Sequence, residues 1–309
     1  MADYLTIDGG TTNTRIALVR ENQITDRMKL HLGARKGMED GNLLRETVKE
    51  GISEMLRRNG METGEITRIL ASGMITSEFG LVNLPHITAP AGVKELHETM
   101  YETVLEDISP IPFVFIRGVK TETEELESTD MMRGEETEMA GLWMGEGVYI
   151  LSGSHSKIIK TDEKGRIVAF KTMLTGEMIA ALAEHTILKS TVELKKQAVH
   201  GEFLRKGYEY ARKNGINDGL FKVRVLKNIF GRDAAEVYNF FMGVILCDEV
   251  EHVLGQKPER ICVSGQTQIK EALTALLRQL TDTPVVMVGD RQSENATAVG
   301  AIRIFEYAP

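Results

Sequence analysis

Asp8, Gly9, Gly10, Thr11, Thr12 and Asn13 stand between two runs of aliphatic and β-branched residues, 4–7 and 14–19. Such a turn can hold an oxyanion. Glycines permit positive φ and leave backbone N–H groups uncovered, and the two threonine hydroxyls add donors. Asp8 would repel a bare phosphate, so its place beside one implies a hard cation such as Mg2+ between them. The same composition also satisfies an ordinary hairpin turn. A second cluster, Ser152-Gly153-Ser154-His155-Ser156-Lys157, again lies between strand-like runs. Ser152, Gly153 and Ser154 are assigned with Thr11 and Thr12 to phosphate contact. His155 reads as a hydrogen-bonded structural group, and Lys157 as either a phosphate contact or a solvated side chain. A third turn, Gly265-Gln266-Thr267, follows a strand pattern and is the expected adenosine position.

Positioning these turns takes strands on both sides of each. Patterns at 4–7, 14–19 and 23–29 predict an antiparallel meander. A helical stripe follows through Leu43, Val48, Ile52, Met55 and Leu56, with Asn42 as its cap. Residues 66–71 read as a strand entering Ser72-Gly73-Met74. A helix is expected over 93–105, and a strand over 113–116 introduced by Pro110 and Pro112. The acidic run 122–127 reads as a solvated loop or helix face. The segment 131–137 opens a short helix that runs to Met144, and Gly145-Glu146-Gly147 is a hinge. The meander then repeats at 148–151, 158–161 and 167–172. Helices are expected over 177–188, 192–213, 220–229, 234–254 and 269–280, with strands at 260–264 and 285–288. The last helix carries Ala296, Ala298, Gly300 and Ala301, small residues that allow another backbone to approach. This is a duplication of architecture rather than of sequence. It predicts two α/β domains, 1–145 and 146–309, facing each other across a nucleotide cleft.

At 309 residues the chain can build two cores, and 42% hydrophobic with 27% charged residues is an ordinary globular balance. A net charge of −8 argues against nucleic acid as the partner. Cys247 and Cys262 each sit in an apolar run and read as buried thiols of a reducing cytoplasm. No apolar run approaches membrane-spanning length, and the first strand begins by residue 4, which leaves no room for a signal peptide. A homodimer is compatible with the sequence, which does not fix the oligomeric state.

Two facing domains, each with a hydroxyl- and glycine-rich turn, resemble the ribonuclease-H-like, actin-like ATPase fold shared by sugar kinases, actin and the heat-shock chaperone ATPases. A narrower resemblance rests on six motifs in order. They are Asp8-Gly-Gly-Thr-Thr-Asn-Thr-Arg15, Gly73-Met-Ile-Thr-Ser77, Pro90-Ala-Gly92, Met132-Arg-Gly-Glu-Glu-Thr137, Gly153-Ser-His-Ser-Lys157 and Thr175-Gly-Glu177. Together they look like the 2-keto-3-deoxygalactonate kinase family (2-dehydro-3-deoxygalactonokinase). Departures are Gly9, where many relatives are expected to carry tryptophan, and the text around Ser77-Glu78.

The resemblance implies transfer of the ATP γ-phosphoryl group to the terminal hydroxyl of a 2-keto-3-deoxy sugar acid, with Mg2+ as cofactor. The pattern Arg133-Gly134-Glu135 is similar to the segment of glycerol-kinase-like enzymes where an acid opening a helix is the base. That puts Glu135 in the role, with Glu177 as runner-up and Glu136 as a further alternative. Asp8 is assigned to the metal side, and Gly9, Gly10 and Gly265 to the nucleotide. Arg15 and Arg133 are candidates for the substrate carboxylate because guanidinium binds carboxylate through two parallel hydrogen bonds, and Arg117 is a third. Asn13, Gly73 and Met74 are expected to contact substrate oxygens. Competing readings are a kinase of another sugar acid or amino sugar, and an actin-like nucleotide switch that needs no base or carboxylate clamp.

Overall fold

The computed structural model describes residues 2–34, 41–195 and 197–308. The chain forms two compact units. One holds 1–145, 162–169 and 294–309; the other holds 146–161 and 170–293.

The first unit is built on β1 (Asp3–Gly9), β2 (Thr14–Arg20), β3 (Gln23–Leu30), β4 (Ile66–Gly73), β6 (Tyr101–Leu105) and β7 (Ser109–Phe115). They form a six-stranded sheet in the order β3-β2-β1-β4-β7-β6. The predicted meander is present: β1 runs antiparallel to β2 and β2 to β3, whereas β4 pairs parallel to β1. Central β1 is buried on both faces, Leu5 and Ile7 on one and Tyr4 and Thr6 on the other, as a strand covered on both sides requires. Helix α1 (Gly41–Asn59) lays Leu44, Val48, Ile52, Met55 and Leu56 into the core with Leu5, Ile7, Ile16, Ile69 and Phe113, whereas Leu43, read as the first residue of that stripe, is exposed and Leu44 takes its place. Asn42 lies inside this helix and is not its cap. The short strands β5 (Ile87–Thr88), β8 (Val119–Thr121) and β9 (Asp130–Met132) make a small second sheet. Residues 122–129 are exposed, as their acidity predicts.

The second unit repeats the plan. Strands β10 (Gly147–Ser152), β11 (Ser156–Thr161), β12 (Ile167–Met173, in this unit from Phe170 on), β13 (Ile261–Gly265) and β14 (Val285–Met287) pair in the order β12-β11-β10-β13-β14. This is the order of the first five strands of the other sheet, with β13 parallel to β10 as β4 is to β1. Its core gathers Ile150, Ile158, Phe241, Val250, Val263 and Leu273.

Three predicted helices need correction. The run 93–105 is helical only as α2 (Val93–Glu98); Tyr101, Thr103 and Val104 favour extended backbone and form the edge strand β6 against β7. Pro110 and Pro112 lie within β7 rather than before it. Among the described residues of the run 192–213 only those of α5 (Gly201–Asn214) are helical. Asn239 there takes the backbone: its Nδ2 donates to Ala198 O and its Oδ1 accepts from His200 N. The run 234–254 is two helices, α7 (Ala234–Ile245) and α8 (Cys247–Gly255), broken where Leu246 takes ψ −2°. The remaining helices are α3 (Glu135–Leu142), α4 (Thr175–His185), α6 (Ile216–Asn228), α9 (Thr267–Leu280) and α10 (Asp290–Phe305).

Candidate active site

In the first unit the turn between β1 and β2 is closed by Gly10 N donating to Asn13 O at 2.9 Å. It is braced from behind. Ala34 N donates to Gly10 O at 3.1 Å, and a Cβ on Gly33 would stand 2.5 Å from that same oxygen. Thr11 and Thr12 are exposed at the tip, and Asn13 Nδ2 donates to Thr12 Oγ1. Asp8 and Arg15 are register partners across the hairpin, and Arg15 Nη1 donates to Asp8 Oδ2 at 2.7 Å. Arg15, with its side chain 61% exposed, therefore meets the acid assigned to the metal side.

The end of β4 closes on the same place. Gly73 has φ +84°, and a Cβ there would lie 2.5 Å from Gly9 O. Gly9 in turn faces Ile75, whose Cβ would be 2.7 Å from a side chain at position 9. No tryptophan fits there while the turn Met74–Thr76 keeps this course.

Helix α3 begins beside this pair. A Cβ on Gly134 (φ +107°) would be 3.2 Å from Gly73 Cα and 4.0 Å from Asp8 Oδ1. Glu135 is the first helical residue and half-buried. Arg133 is also half-buried; its Nη1 donates to Thr76 O and Thr76 Oγ1, each at 3.0 Å, and its Nη2 to Leu84 O at 2.7 Å. Burial holds the guanidinium below its ordinary pKa, with the Glu136 carboxylate opposing that shift. Glu136 is buried and caps its own helix, accepting from Gly134 N at 2.8 and 2.9 Å and from Thr137 Oγ1. Burial first, and the neighbouring Glu135 second, push the Glu136 carboxyl up to about 8. The other face of α3 packs closely on α10, where a Cβ on Gly141 would be 1.9 Å from Ala296 O. The structure thus brings together Asp8, Arg15, Gly73, Met74, Arg133 and Glu135. Arg117 is tied elsewhere, to Thr99 O and Pro85 O.

In the second unit Ser152 is buried, and its hydroxyl donates to Ser264 O at 2.8 Å. Gly153 and Ser154 form the tip, with Ser154 exposed. The start of α4 supports them: a Cβ on Gly176 would be 2.3 Å from Gly153 O, and Glu177 N donates to Ser154 O at 3.1 Å. His155 Nε2 and Glu177 Oε1 are 3.2 Å apart, the structural partnership expected for that histidine. Lys157 is neither solvated nor at the tip; it is buried and donates to Thr172 Oγ1 at 2.6 Å. Gly265 has φ +101°, and a Cβ there would be 2.0 Å from Ser152 O. It is the counterpart of Gly73, each glycine ending the strand parallel to its unit's first. Behind the Gly265 turn the buried Lys270 donates to Val288 O and to Asp290 Oδ1.

Sequence reasoning missed the burial of Glu136, Glu249 and Lys270. The available signal was an acid or base falling on a helix's apolar face, as Glu249 does between Leu246, Val250 and Val253. Among the described residues no three His, Cys, Asp or Glu side chains are grouped to hold a metal by themselves. The donor set still fits Mg2+, which keeps several waters and takes one or two carboxylates together with substrate phosphates. Asp8, beside the turn at Gly9–Asn13, would supply such a carboxylate.

Two sheets that share the order of five strands, each with a glycine-hydroxyl turn after its first strand, define the fold of actin-like ATPases and sugar kinases. The structure superposes with TM-score 0.79 on a Sinorhizobium meliloti protein whose own assignment as a 2-dehydro-3-deoxygalactonokinase is provisional, at 21% identity over 97% of each chain. The activator of the 2-hydroxyisocaproyl-CoA dehydratase from Clostridium difficile, solved with bound ADPNP, gives TM-score 0.52 at 10% identity, covering 97% of this chain and 93% of that one. The family is shown by sequence: residues 8–304 match the 2-keto-3-deoxy-galactonokinase family, and the chain belongs to it. It is 25% identical over 275 residues to the "Probable 2-dehydro-3-deoxygalactonokinase DgoK1" of Rhizobium meliloti (strain 1021), covering 85% of this chain and 84% of that protein. The protein is accordingly a sugar-acid kinase, a phosphotransferase that uses ATP. No helix among the described residues is long and apolar enough to cross a membrane.

Proposed function

We propose that this chain transfers the γ-phosphoryl group of ATP to the terminal hydroxyl of 2-keto-3-deoxy-galactonate, giving the 6-phosphate. The observation that carries the reading is the family match over residues 8–304. The convergence of Asp8, Gly73, Arg133 and Glu135 in one unit supports the assignment of roles.

In this reading an oxygen–phosphorus bond forms from the terminal hydroxyl as the bond to ADP breaks, and Glu135 accepts the hydroxyl proton. Its place at the start of α3 favours the ionised carboxylate through the helix dipole. Backbone N–H groups at Gly9 and Gly10 and the hydroxyls of Thr11 and Thr12 bind phosphate oxygens, as do Gly153 and Ser154. Ser152 acts by fixing Gly153, because its own hydroxyl is donated inward to Ser264 O. Gly265 borders the adenosine. Mg2+ supplies charge neutralisation at the phosphates, and Asp8 would hold it, directly or through water. Arg133, aimed by the carbonyls of Thr76 and Leu84, takes the substrate carboxylate together with Arg15. Asn13, Gly73 and Met74 contact the remaining substrate oxygens. The setting is the cytoplasm, in keeping with the buried, unbridged Cys247 and Cys262.

ADP release measured with 2-keto-3-deoxy-galactonate, its gluconate epimer and unrelated sugars tests the proposal. Turnover should rise sharply with the galactonate acid alone. Equal turnover on another sugar acid would move the substrate. Turnover indifferent to every acid but responsive to a protein partner would replace the kinase by a nucleotide switch.

A further inference from the structure

Glu249 lies in α8, on the stripe that puts Val250 and Val253 into the core of the second unit, and is 1% exposed. An ionisable group in such a place costs stability that an apolar residue of the same size would not. Its Oε2 accepts from Thr175 Oγ1 at 2.7 Å, whereas its Oε1 is buried without a hydrogen-bond partner. The Ser156 hydroxyl is also buried, and it lies close enough to favour the ionised carboxylate although outside hydrogen-bonding geometry. Burial nevertheless pushes the carboxyl up to about 7.

Both partners flank the phosphate-type tip. Ser156 is the first residue of β11, directly after the turn, and Thr175 is the first residue of α4. Leu174 precedes α4 and provides no side-chain cap, so Thr175 is the side chain that ties this helix start to the interior. One residue on, Gly176 meets Gly153 O and Ser154 Cα, and Glu177 N bonds Ser154 O. A chain of contacts therefore runs from Glu249 through Thr175 and Gly176 to the tip.

We infer that Glu249 is a positioning residue for nucleotide binding, fixing through Thr175 the start of α4 against the tip that receives the phosphates. This rests on the ATP-binding part of the proposed function and is independent of which acid is phosphorylated.

The test is calorimetric Kd for MgATP on the full chain, with KM for ATP and for the sugar acid measured beside it and a thermal melt of each variant. Glu249→Leu and Thr175→Val each remove the bond and should weaken MgATP binding about tenfold, the scale of one lost hydrogen bond. KM for the acid should stay unchanged. Glu249→Gln keeps an acceptor for Thr175 and should restore binding, and the double variant should be no weaker than either single one. Variants that melt like the parent and bind MgATP equally well would overturn the inference, as would KM values that rise equally for both substrates. A parent chain that binds MgATP but phosphorylates no acid would remove the substrate reading while leaving this test intact.

Discussion

At the scale of single residues, Glu135 and Glu136 are adjacent carboxylates in different surroundings. Glu135 is half-buried at the helix start, whereas Glu136 is turned inward and bonded to Gly134 N. Glu135→Gln should keep ATP binding and lower turnover by at least about a hundredfold, the scale of a lost general base. Near-parent turnover in a coupled assay would move the role to Glu177 or Glu136. For Glu136 the expected effect is on stability. The folded chain keeps its proton up to about pH 8, while the unfolded chain releases it near the ordinary 4.5. Folding stability is therefore lost as pH rises between those values. Glu136→Gln should flatten that loss in urea titrations at pH 5 and pH 8; an unchanged difference between the two pH values would contradict it. The sequence shows two acids opening a helix. Which of them points inward follows from where β4 and α10 pack against α3.

At the scale of elements, the same device appears at both parallel strand ends. Gly73 and Gly265 hold positive φ, and each touches the backbone of the strand beside it. A side chain at either position would clash with a carbonyl and strain the backbone, each effect being of order 1–3 kcal/mol. Gly73→Ala and Gly265→Ala should each lower the denaturation midpoint accordingly. Gly64→Ala, with open space at its Cβ, should leave it within about 0.5 kcal/mol of the parent. A melt that fails to separate the two classes would show that the strand ends yield more easily than their geometry implies. The elements were legible where local pattern decided them, as in the meander 3–30 and the stripe of α1. They were misread at 192–200, where the side chain of Asn239 on a different helix takes the backbone bonds.

At the scale of the whole molecule, the chain carries two separate cores, each with its own sheet and its own glycine-hydroxyl turn. Ligand that binds only the folded state adds stability by mass action, about 2.7 kcal/mol at a hundred times Kd. MgATP at that excess should raise the melting temperature by roughly 5–11 °C, each kcal/mol being worth about 2–4 °C in a large domain. Glu249→Leu should show a smaller rise at the same concentration. No rise with MgATP in the parent chain would count against nucleotide binding altogether.

The sequence by itself determined the alternation of strands and helices, the duplicated plan, the position of three glycine turns and the order of six motifs that marks the family. Those are properties of short windows, set by side-chain period, backbone permission at glycine and the donors a turn can offer. Only the tertiary structure decided which polar groups look outward. Ser152 spends its hydroxyl on Ser264, 112 positions away, and Arg133 is aimed by a carbonyl 57 positions back. Glu249 reaches Thr175 across 74. A polar side chain's partner, and hence its burial and protonation, depends on chain that no local pattern contains.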